Sequence, residues 1–171
     1  MTDHSIQHGP VAASATEADG AQGLRDQLMA ELCGLGATMT AAMAAQPGFV
    51  PCEHAFGVVI EGAAAACACE DETRLEELTA AVRARSEHVA EHRGVAMGAS
   101  AHVDMTDVDA VSLLLCVLGG APRMARAMRA GVMSQEANVA LVRALACLGE
   151  RGRDLAPCVR ELSGAIAGLA L

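Results

Sequence analysis

The chain of 171 residues contains no Lys, no Trp and no Tyr, and only two Phe. Without lysine it cannot carry a Walker-type phosphate lysine, a Schiff-base amine or a catalytic lysine. Without Trp and Tyr it lacks the platforms on which single-strand binders stack bases. A formal charge of -9 also opposes a long contact with phosphate backbone. No nucleic-acid partner is expected. Strand formers are sparse, and no stretch alternates polar and apolar residues for long, which removes the sheet signal. The longest apolar runs, such as AVSLLLCVLGGA, fall short of the roughly 20 residues that span a bilayer, so no membrane partner is expected either. The N-terminal MTDHSIQHGPVAASATEADG has neither the basic start nor the apolar core of a signal peptide. Residues 1–20 therefore read as a flexible polar tail, and the expected location is cytoplasmic. The seven Cys, at positions 33, 52, 67, 69, 116, 147 and 158, are odd in number and lack the paired spacing of a secreted disulfide framework. Reduced thiols are expected.

What remains is a composition of Ala, Leu, Met, Glu and Arg, which are helix formers. The expected fold is all-α, one domain over residues 21–171 built as a compact bundle of about six helices. The first helix is predicted from Ala21 to Ala45, with Leu24, Leu28, Leu32, Leu35 and Met39 on one stripe and QPGFVP ending it. A second starts near Pro51 and runs through CEHAFGVVIEGAAAACAC. Asp71 or Thr73 caps a third, on which Leu75, Leu78, Val82, Val89 and Ala96 recur at helical spacing. Thr106 resembles the entry to a fourth, which is expected to stop at Gly119-Gly120 and restart behind Pro122. Ser134 and Asp154 are predicted caps for two last helices over 135–149 and 155–169.

Chemistry concentrates in ARSEHVAEHRG, residues 84–94. His88 and His92 are four apart, so on a helix they lie one turn above each other and can face one ion. HVAEH also matches the H-x-x-E-H signature of inverted zinc peptidases, in which the intervening glutamate activates water; that places Glu91 as a candidate catalytic base. If the second and third helices form a hairpin turning at Asp71, His54 faces His88. Cys52 then sits at the same level, and Glu61 shares a face with His54 inside an apolar segment where a carboxylate needs a partner. Three imidazoles with a carboxylate or thiol in reach suit zinc, copper or iron with one position open for water. The alternative is a hairpin with ordinary boundary histidines, its Glu61 reaching solvent or pairing with Arg83 or Arg85. Cys67 and Cys69, two apart, point away from each other on a helix and cannot chelate one ion there. Cys33, Cys116 and Cys147 lie in apolar settings and read as core, although Cys and Met together can also form a soft site for copper(I).

Residues 74–131 resemble the carboxymuconolactone decarboxylase and alkylhydroperoxidase D-like family of helical proteins. RLEELTAAVRARSEHVAEHR stands where the family has its C-x-x-C-x-x-x-H helix, and MTDVDAVSLLLCVLGGAPRMARAM where it has a capped helix ending in small residues. His92 matches the family histidine, His88 stands at the second cysteine and Arg85 at the first, so the dithiol is missing. The resemblance implies a helical fold and a homo-oligomer. Three functions follow as expectations: a metal-binding helical protein, which could use a small-molecule substrate; a redox protein of the alkylhydroperoxidase D-like type; and a non-catalytic oligomeric or adaptor bundle. Small residues along several helix faces favour close packing and a subunit partner.

Overall fold

The structure, a computed structural model, describes the backbone of residues 12–169 and the side chains of residues 20–169. It contains six helices and, among the described residues, no strand: α1 (Ala12–Ala45), α2 (Glu53–Ala68), α3 (Glu72–Arg93), α4 (Val108–Arg129), α5 (Gln135–Leu148) and α6 (Ala156–Ala167). The all-α expectation is met. The first helix begins at Ala12, upstream of the expected Ala21. The rest of the expected tail, residues 1–11, lies outside the described residues.

α1 forms the axis of the bundle because its apolar residues are not confined to one stripe. Leu28, Leu32, Leu35 and Met39 are fully buried, and Ala30, Cys33 and Ala42 are covered as well. Three helices, α2, α3 and α5, pack around it. α3 runs parallel to α1 and is fastened along its length by Arg83 to Glu31, Ser86 to Thr38 and Arg93 to Gln46. α5 crosses where α1 carries Gly36: a Cβ there would lie 2.7 Å from the Ala146 nitrogen and 2.8 Å from the Val142 oxygen. Only glycine lets the two backbones approach so closely.

The segment between α3 and α4 is irregular but tied down. α3 ends at Gly94, whose φ of 61° is the left-handed cap that glycine adopts without strain. The chain then lies along α1, where the Ala101 N–H donates to the Ala30 carbonyl and the Gly98 N–H to Thr38 Oγ1 at 2.8 Å. Thr38 in turn donates to the Gly34 carbonyl at 2.9 Å, so the Ser86 hydroxyl at 2.8 Å must donate to it. Two buried hydroxyls are thereby satisfied in the core.

Two caps stand as expected: Asp71 accepts from the Arg74 N–H and Ser134 from the Ala137 N–H. The fourth helix departs from expectation. Its cap is Asp107, which accepts from the N–H groups of Asp109 and Ala110, while Thr106 donates both its N–H and its O–H to Asp104. α4 also continues unbroken through Gly119, Gly120 and Pro122. Gly120, Ala121, Met124, Ala125 and Ala127 carry the buried face across the proline. Packing offsets a break that costs about 3 kcal/mol in an isolated helix. The last helix starts at Ala156 with Leu155 at its cap position and no side-chain cap bond from it, though Asp154 still accepts from the Ala156 N–H.

Strict runs of apolar letters understate two helices. Gly20–Ala45 and Val108–Arg129 are each long and apolar enough to cross a bilayer. The apolar window of the first is 67% buried inside the protein, that of the second 39%.

Candidate functional site

α3 turns its Leu75, Leu78, Val82 and Val89 face inward, and His88 and His92 lie exposed along the flank of that face. The two rings stack with centroids 3.9 Å apart and planes 34° from parallel. His92 Nδ1 lies 2.9 Å from the His88 carbonyl. A carbonyl only accepts, so Nδ1 carries a proton, and in the neutral ring Nε2 is then the nitrogen with the lone pair. Glu91 is exposed beside the pair.

The remaining predicted ligands are elsewhere. His54, in the first turn of α2, lines a hollow of about 450 Å³ with Phe56, Met128, Met133 and Asn138. The Asn138 side-chain oxygen Oδ1 is buried without a hydrogen-bond partner. Cys52 is the backbone cap of α2 and makes no side-chain cap bond. Glu61 meets neither His54, Arg83 nor Arg85; it pairs with Arg74 at 3.6 Å, with both side chains about half exposed. A hairpin centred on Asp71 sets Glu61 opposite Ala81, so the observed pair lies about two helical turns nearer the bend. Arg83 is engaged by Glu31, which raises its pKa. The physical reason is α1: it holds α3 along its length, and α2 packs most closely on α4. Among the described residues, no three His, Cys, Asp or Glu side chains come together in a group able to hold a metal ion.

Two features were not foreseen. The first is in the sulfurs. Cys147 of α5 and Cys158 of α6 are buried with their Sγ atoms 2.7 Å apart. Burial and the neighbouring Cys158 push the Cys147 thiol up to about 12, and burial alone does the same to Cys33. The signal was present in the sequence: a helical hairpin turning at Gly152-Arg153 sets residue 147 opposite residue 158.

The second is the outer face of α4. Leu115 is 64% exposed and Val108 78%. Leu115 stands as a ridge between two hollows. One, of about 420 Å³, is lined by Met29, Val103, Leu114 and Leu118, with Arg25 and Asp26 of α1 on its wall. The other, of about 320 Å³ between α4 and α6, is lined by Gly119, Gly120, Ser163 and Ala167, with Arg123 at its edge. No charged residue occurs from Ala110 to Pro122. Helical periodicity foretells an apolar stripe on such a segment but not which side of it the neighbours cover.

Comparisons with protein-family models, curated proteins and solved structures find no match.

Proposed function

We propose that this chain is a non-catalytic helical protein that works by self-association, a second copy covering the outer face of α4. The observation that carries the reading is the Leu115 ridge with a hollow on each side. Across a two-fold axis the ridge of one copy faces the hollow of the other, the self-complementarity that an isologous interface requires. Charge favours the same occupant. The chain carries a formal charge of -9, yet the ridge segment from Ala110 to Pro122 is neutral and the charges lining the two hollows, Arg25, Asp26 and Arg123, are of mixed sign, so two copies meet there without a concentration of like charge. Small residues at Gly119, Gly120 and Ala167 allow close approach. Sedimentation of wild type and Leu115→Glu tests it. A wild-type dimer that the substitution dissociates supports the reading. A wild type that stays monomeric, or that partitions into lipid vesicles through α4, contradicts it.

A second reading keeps a metal, and its supporting observation is the His88–His92 pair. One nitrogen of His92 is engaged by a backbone carbonyl and the other left free, the arrangement that orients a ligating imidazole. Two imidazoles leave positions on zinc, copper or iron for water or for groups of another chain. Glu91 stands beside them as a base. Elemental analysis of untagged protein, with thermal unfolding of wild type, His88→Ala and His92→Ala with and without chelator, separates the outcomes. Stoichiometric metal and a chelator-sensitive midpoint that both variants lose support this reading. Metal-free protein with an unmoved midpoint ends it.

A further inference from the structure

We propose that Cys147 and Cys158 form a two-thiol redox site, which a small hydroperoxide converts into a disulfide tying α6 to α5. The two sulfurs come from separate helices joined by a short turn, and at 2.7 Å they are within about 0.7 Å of a covalent S–S distance. Both residues are free thiols, and their exposures of 2% and 8% leave room for a small oxidant only. The other five cysteines show no such partner among the described residues: Cys33 is buried alone, Cys52 and Cys67 are exposed, Cys69 meets the Asp71 carbonyl and Cys116 a serine hydroxyl.

Cys158, in the first turn of α6, is the more accessible and reacts first. Its sulfur attacks the peroxide O–O bond and takes one oxygen as a sulfenic acid; the other oxygen leaves as an alcohol, or as water, with the thiol proton. The Cys147 sulfur then attacks the Cys158 sulfur. The S–S bond forms, the S–O bond breaks, and the hydroxyl leaves as water with the proton from Cys147. Two thiols lose two electrons and two protons, and one hydroperoxide is reduced to an alcohol and water. Cys147 acts second because burial holds its proton until the attack. Arg153, in the turn between the helices, is close enough for its charge to act on both sulfurs.

The test uses the full chain, reduced and freed of reductant, then exposed briefly to hydrogen peroxide. It is alkylated after denaturation and mapped by peptide mass spectrometry. A single intramolecular cross-link between the Cys147 and Cys158 peptides is expected, together with a rise in midpoint of about 5 °C that reductant reverses. Cys147→Ser should stop the reaction at a sulfenic acid on Cys158, trapped by a cyclic diketone. Cys158→Ser should leave Cys147 as an alkylatable thiol. Recovery of both native residues as alkylated thiols while Cys52 and Cys67 oxidise would overturn the proposal. So would a Cys147→Ser protein with no trapped adduct at Cys158.

Discussion

Titration at the level of single residues is unusually simple here, because a chain with neither Lys nor Tyr has little besides thiols to titrate between pH 9 and 12. Cys33 in the core and Cys147 under α6 both hold their protons up to about 12, against a usual thiol value of 9.0. The unfolded chain releases those protons sooner. Stability is therefore full below about pH 9 and falls as the pH climbs toward 12. Chemical denaturation at about pH 8 and about pH 10.5 should show that fall, and Cys33→Ala should make it shallower whatever the variant's baseline stability. An equal fall in the variant means that the burial of Cys33 is not its cause. Thr38 gives a second prediction. Its hydroxyl takes the Gly98 N–H and the Ser86 hydroxyl, and gives its proton to the Gly34 carbonyl. Thr38→Val keeps the shape and strands those groups, which should cost about 1–3 kcal/mol in urea unfolding. A change below a few tenths of a kcal/mol, roughly the size of surface effects, means that water or rearrangement takes over the bonds.

Among elements, the crossing of α1 and α5 is the contact least able to give way. Gly36→Ala drives a methyl group into the backbone of α5 and should destabilise by about 1–3 kcal/mol. Gly23 on the same helix is exposed with open space around its Cα, so Gly23→Ala should stabilise by about 0.5–1 kcal/mol. Equal effects from the two substitutions would show that helix propensity, and not the crossing, sets the cost at residue 36. Elements were legible wherever local chemistry decides them. The α1 stripe from Leu28 to Met39 and the caps at Asp71 and Ser134 depend only on neighbours in sequence. α4 was misread because its glycines and proline break isolated helices, whereas here Ile166 of α6 lies over Gly120 and the buried face continues past Pro122. Hairpin symmetry shows the same limit. It holds for Cys147 and Cys158, where α5 and α6 pack directly across a short turn. It fails for His54 and His88, because α1 takes α3 as its partner, and pairing between helices distant in sequence is set by the whole core.

For the whole molecule, the candidate site was legible in part. The His88–His92 pair follows from a four-residue spacing on a helix, and the structure brings those two rings together. His54, Cys52 and Glu61 were to join through tertiary register, and they lie apart from the pair. The Leu115 ridge could not be read from the chain, because exposure is decided by which helices cover α4, and α2, α5 and α6 leave that side open. The central claim is that a second copy closes it. Sedimentation equilibrium of the full chain over a wide range of concentration, beside Leu115→Glu, tests the claim most directly. Twice the 17.4 kDa chain mass for wild type and a single chain mass for the variant is the predicted result. A wild-type protein that sediments as a single chain at every concentration, indistinguishable from the variant, would contradict it.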